Sequence, residues 1–231
     1  MSVTDLDTAP LPRLQEKPDW VYLLREFKDL YRRGKAGGSA RIRSHQRQVR
    51  EAVARTMCAN PPVLGRPPEL KPVTAHLKRA LDQGRRESTQ SVIRAVESVA
   101  SEFTWLYGYE KVPRGLGQKF AYTEFAGPHG PILTEEIILG LVLFAPGCTY
   151  PAHCHDGLTE SYYILSGAVS ENDDGVYAPG SLILNPPGRM HRITVSETEP
   201  ALLTYAWHGP KDKLAAQKMV FGRARGGREK R

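Results

Sequence analysis

The sequence predicts a mainly β chain, in which a small antiparallel barrel of short strands is entered through an α-helical N-terminal region. Three observations carry this. Up to about residue 106 the apolar residues recur at helical spacing. From about Lys119 the texture changes to short runs rich in β-branched and aromatic residues. Glycine and proline punctuate those runs too closely to leave room for helices, as in a barrel or sandwich. The resulting organisation is a helical region over 1–110, a β-barrel over 111–210 and a basic tail over 211–231.

The first helix is expected over 19–31, with Trp20, Leu23, Leu24, Phe27, Leu30 and Tyr31 at helical spacing and Gly34 as its stop. Residues 44–58 repeat the pattern more weakly through Val49, Ala52, Val53, Thr56 and Met57, until the proline-rich stretch 60–68 breaks it. A short helix over 72–83 follows, with Gly84 as C-terminal cap. The clearest helix runs from Ser88 as N-cap to about Leu106, with Val92, Val96, Val99 and Phe103 in one stripe and Gly108 ending it. These stripes are broad for so short a region and offer a homodimer surface. Strands are expected over 119–125, 137–144, 161–170, 180–185, 191–196 and 201–207.

With 231 residues, 40% of them hydrophobic, the chain can bury a substantial core. No run of 18 apolar residues suggests a membrane helix, and the first twenty residues have no secretory apolar segment, so a cytoplasmic location is expected. Three cysteines (Cys58, Cys148, Cys154) without a CxxC pair argue against a disulfide framework or a zinc knuckle. The net charge of +7 sits almost wholly in 211–231, where eight basic side chains face two acidic ones. Such a gradient describes a solvated or locally ordered tail rather than a nucleic-acid surface.

The chemistry concentrates in His153, His155, Glu160 and His191. Three imidazoles and a carboxylate suit one divalent transition metal ion, with Fe, Mn, Ni, Co and Zn all compatible. On a strand, His153 and His155 point to one face, and Glu160, Tyr162 and Ile164 likewise share a face. Cys154 then points away from the metal. His45, His76 and His129 lie outside this constellation and read as structural or solvent-facing; His208 is left unassigned.

These residues sit in two glycine-framed segments. Residues 147–167, GCTYPAHCHDGLTESYYILSG, resemble the first cupin motif, and 180–191, GSLILNPPGRMH, resemble the second. The asparagine usual four residues after the second motif's histidine is replaced by Val195, which weakens the family signature more than the ligand set. The implied fold is a cupin barrel, the double-stranded β-helix or jelly roll.

More finely, YPAHCHDGLTESYYILSG, the closing strand LLTYAWHGP and the size of the helical half resemble the bacterial cupin-type dimethylsulfoniopropionate (DMSP) lyases of the DddL type. The resemblance covers most of the chain and is strongest over 119–210. It implies a metal-dependent β-elimination of the small molecule DMSP to acrylate and dimethyl sulfide. By the family's Glu-x-Tyr pattern, Tyr162 is the expected general base. The sulfonium calls for aromatic faces. Of Trp105, Tyr107, Tyr109, Tyr122, Tyr150 and Trp207, those on or beside barrel strands are favoured: Tyr122, Tyr150 and Trp207. A cupin dioxygenase acting on a small thiol or phenol, or a non-catalytic small-ligand sensor, are the alternative readings.

Overall fold

The computed structural model describes residues 10–109, 112–113, 115–217 and 219–221. The helical region contains α1 (Pro18–Arg33), α2 (Ala40–Ala59), α3 (Leu77–Gly84) and α4 (Gln90–Val99), with short 3-10 turns at Leu14–Glu16, Pro72–His76 and Ala100–Glu102. A single turn, α5 (Leu116–Lys119), leads into the strands. These are β1 (Phe120–Gly127), β2 (Ile132–Leu133), β3 (Ile138–Phe144), β4 (Thr149–His155), β5 (Thr159–Ser166), β6 (Val169–Glu171), β7 (Val176–Tyr177), β8 (Leu182–Asn185), β9 (His191–Val195) and β10 (Ala201–His208). After β10 come α6 (Lys211–Ala215) and β11 (Met219–Phe221).

The strands form two sheets, a six-stranded one in the order β2-β1-β3-β10-β5-β8 and a five-stranded one in the order β11-β4-β9-β6-β7. Apart from the short parallel pair β1–β2, all neighbours are antiparallel. This is the jelly-roll architecture of the cupins. The larger sheet is buried on both faces. One face meets the second sheet through Phe120, Val142, Phe144, Ile164 and Leu203; the other meets the helices through Leu139, Leu141, Leu143, Tyr163 and Leu165.

The helices pack as their apolar periodicity dictates. Trp20, Leu23, Leu24, Phe27 and Tyr31 of α1 are buried, as are Val49, Ala52 and Val53 of α2 and Val92, Ile93, Val96 and Val99 of α4. Each large side chain contributes on the order of 1.5–3 kcal/mol by leaving water. The stripes that suggested a homodimer surface are thus covered within the chain. Among the described residues, no helix is long and apolar enough to cross a membrane.

Several helix boundaries differ from expectation: α2 begins at Ala40 rather than near 44, and the helix expected over 72–83 is a 3-10 turn through His76 followed by α3 from Leu77. The helix expected over 88–106 ends at Val99; Phe103 and Trp105 are buried while Thr104 and Leu106 are half-buried, a period of two. The segment runs extended, with bridges from Thr104 to Glu69 and from Leu106 to Tyr122. Phe103 satisfies both periodicities, so in the sequence the helical stripe runs on past the end of the helix. Ser88 is not the N-cap; Thr89 precedes the helix, and its hydroxyl donates instead to the Leu165 carbonyl at 2.8 Å. Gly84 is the last residue of α3 and not a cap beyond it; its glycine serves packing, since an added Cβ would lie 2.6 Å from Ile93. The run 161–170 is broken between β5 and β6 at Gly167, whose φ of +74° turns the chain where a Cβ would meet the Pro200 carbonyl at 2.2 Å. The tail's first part is locally ordered as α6 and β11, while Lys218 and the basic residues from Arg223 onward lie outside the described residues.

Candidate active site

Strand β4 supplies His153 and His155, two residues apart and both buried, whereas Cys154 between them is half-buried. Across the same sheet, His191 at the start of β9 is the direct partner of His153. Glu160 comes from β5 in the opposing sheet. The four residues are 0–3% exposed, and their ligand atoms all lie within 4.8 Å of one another. His191 Nε2 is 2.8 Å and His155 Nε2 3.4 Å from Glu160 Oε2.

The backbone fixes which nitrogens face inward. His153 Nδ1 lies 2.9 Å from the Pro151 carbonyl and His191 Nδ1 3.1 Å from the Arg189 carbonyl. A carbonyl can only accept, so Nδ1 carries the proton in both rings and Nε2 presents a lone pair. Glu160 is oriented by its cross-strand partner Trp207, whose indole N–H donates to Oε1 at 2.7 Å. Oε2 is thereby left toward the imidazoles. Among the described residues, His155 Nε2, Glu160 Oε2 and His191 Nε2 are buried without a hydrogen-bond partner. Such orphans cost about 1–3 kcal/mol each, and here they converge on one point. A divalent cation satisfies all of them at once, so the donor set fits and this buried group can hold a metal ion.

Electrostatics agree. Burial lowers His153 to about 4, keeping it a neutral ligand-type imidazole. Burial pushes Glu160 up, but the His155 and His191 imidazoles outweigh it and hold the carboxyl well below its usual range. His191 is the exception: burial works downward, but Glu160 prevails upward and favours a proton on Nε2, which a bound cation would displace. Tyr162 is raised well above 10 by burial and by the negative charge of Glu160.

A cavity of about 360 Å³ opens onto this group. His153, Glu160 and Tyr162 line it, as do the three aromatics singled out from the sequence, Tyr122, Tyr150 and Trp207. His155 and His191 sit behind this wall. The Tyr162 ring lies 6.3 Å from the His191 ring, and the Tyr150 ring 4.8 Å from the His153 ring. Sequence reasoning missed Tyr205, Phe120 and Gln217, which also line the cavity. Period-two alternation outward from Trp207 and Tyr122 identifies the first two; nothing in the sequence points to Gln217. Of the histidines outside the constellation, His45 is buried behind the site, where its Nε2 and the Tyr31 hydroxyl each lie 2.7 Å from Ser161 Oγ. Ser161 stands on the helix-facing side of β5, between Glu160 and Tyr162.

Comparisons with known proteins converge on one family. The family model for dimethylsulfoniopropionate lyase matches residues 45–203. The chain is 56% identical over 202 residues to the Cereibacter sphaeroides protein assigned as the DMSP lyase DddL, covering 87% of each. Its fold is similar to that of the DMSP lyase DddQ from Ruegeria pomeroyi (TM-score 0.67, 20% identity, 91% of this chain and 99% of that one). It is also similar to a chain from the crystal structures of the DMSP lyases RdDddP and RnDddQII (TM-score 0.66, 21% identity, 90% and 99%). With half of its residues shared with one relative over most of both chains, and with the family model spanning both site-bearing segments, the chain belongs to the dimethylsulfoniopropionate lyase family.

Proposed function

We propose that this protein cleaves DMSP to acrylate and dimethyl sulfide by β-elimination, with His153, His155, Glu160 and His191 holding one divalent transition metal ion and Tyr162 as general base. One observation carries the reading: a buried tyrosine shares an aromatic-walled cavity with a metal-competent cluster, in a member of the DMSP lyase family. When bound, the ion would draw charge from the substrate carboxylate and stabilise the enolate-like density left by the departing α-proton.

The residues divide the remaining work. Tyr162, on the same face of β5 as Glu160, takes the α-proton. The C–H electron pair becomes the Cα–Cβ double bond, the Cβ–S bond breaks, and dimethyl sulfide leaves with the sulfur pair. The proton held by Tyr162 returns to solvent. Burial and Glu160 alone keep this phenol protonated, so the base role calls for positive charge beside it. Tyr122, Tyr150 and Trp207 offer π faces to the sulfonium, each contact contributing roughly 0.5–2 kcal/mol.

The test is headspace detection of dimethyl sulfide after adding DMSP to metal-loaded protein under anaerobic conditions. Release without oxygen is expected and separates elimination from dioxygenation. No release with any of Fe, Mn, Ni, Co or Zn sinks the assignment.

A further inference from the structure

Among the described residues lining the cavity, Gln217 is the one side-chain amide, it has no part in the elimination chemistry, and it comes from the segment that follows the barrel. That segment is tied down at three points. Leu214 of α6 is fully buried, Lys213 pairs with Asp156, and β11 pairs with β4 at His153, Cys154 and His155. Gln217 lies between α6 and β11, so its backbone is held on both sides.

Its side chain is held as well. Gln217 Nε2 donates to Glu124 Oε2 at 3.0 Å, and the His129 backbone N–H donates to Glu124 Oε1 at 2.9 Å. Glu124 is itself 7% exposed, and its loop closes on it so tightly that a Cβ at Gly127 would fall 2.3 Å from Oε1. A carboxylate accepting at both oxygens fixes the amide's orientation: the nitrogen must face Glu124.

We propose that Gln217 is a specificity residue that reads the cationic end of the substrate, its carbonyl oxygen turned into the cavity because Glu124 holds its amide nitrogen. This rests on the lyase reading above. The aromatic walls attract a cation through their faces but also accept a neutral group of the same shape. A fixed carbonyl dipole, backed by a buried carboxylate, adds a contribution that depends on the sign of the ligand's charge.

The experiment is calorimetric titration of metal-loaded protein with two carboxylates of matched shape that differ in charge only at the far end: 3-(trimethylammonio)propionate, cationic there, and 4,4-dimethylpentanoate, neutral there. In Gln217→Leu the cationic ligand is expected to bind about fivefold more weakly, while the neutral one binds as in the wild type and so reports an intact cavity. An unchanged ratio between the two ligands, an equal loss of both, or a wild-type protein without preference for the cation overturns the proposal. If wild-type protein releases dimethyl sulfide while the ratio is unmoved in Gln217→Leu, only this inference fails. If wild-type protein releases none and binds neither ligand, the lyase reading fails and takes this one with it.

Discussion

Trp207 is proposed as a wall for the sulfonium by its place on β10, and its hydrogen bond gives it a second task that can be measured by itself. The indole donates to Glu160 Oε1 at 2.7 Å, and its ring lies 4.4 Å from that of His155. Trp207→Phe keeps an aromatic ring on the strand beside His155, smaller than the indole, and removes the donor. Glu160 is 1% exposed, so water does not readily take the donor's place. A hydrogen bond to a charged group contributes about 1.5–3 kcal/mol. Losing it frees the carboxylate to rotate Oε2 away from His155 and His191. The expected result is metal affinity weaker by a factor of about 10–100, the range seen when partners behind a ligand are removed. Competition of the variant and the wild type against a chromophoric chelator measures it directly. Affinity within twofold of wild type would refute the idea that Trp207 orients Glu160 for a metal.

Three further outcomes are expected. Tyr162→Phe should retain metal and lose DMSP cleavage by about 10²–10⁴-fold, whereas His153→Ala or His191→Ala should lose both; metal analysis beside dimethyl sulfide release distinguishes them. His45, lowered to about 4 by burial and then by His208, stays neutral in the fold while the unfolded chain takes up its proton near 6.5. Its contribution, on the order of 3 kcal/mol, is therefore present above pH 6.5 and lost as pH falls toward 4, so urea midpoints should fall less over that window in His45→Gln. Gly34→Ala should destabilise by about 1–3 kcal/mol in the same assay, because the new Cβ would sit 1.6 Å from the Tyr163 hydroxyl oxygen.

Much of this was legible in the sequence because strands alternate. The spacing of His153 to His155 and of Glu160 to Tyr162 set which side chains face the cavity, and the glycines bracketing them marked the turns. Alternation also contained Tyr205 and Phe120, had it been followed outward from Trp207 and Tyr122. The misplaced end of the 88–106 helix has a different cause. Val92, Val96, Val99 and Phe103 fit a helical stripe, but the bridge partners Glu69 and Tyr122 are distant in sequence and decide the backbone of 103–106. Gln217 and the role of Trp207 were not legible for the same reason: each depends on an oxygen brought close by the fold, Glu160 by strand pairing and Glu124 by the packing of the post-barrel segment across the two sheets.

That strand pairing also dates the site within the life of the chain. The ligands lie between His153 and His191, but the residue that aims Glu160 is Trp207, on a strand that pairs only after the whole second motif exists. The outer edge of the histidine strand is covered later still, by Met219–Phe221. A nascent chain that has emerged only through its four ligands has an unaimed carboxylate and an open strand edge beside two of its histidines. The finished geometry needs the chain through Phe221. Loss of Trp207 or of Met219–Phe221 therefore acts on the centre of the barrel, although both follow the last ligand in the chain.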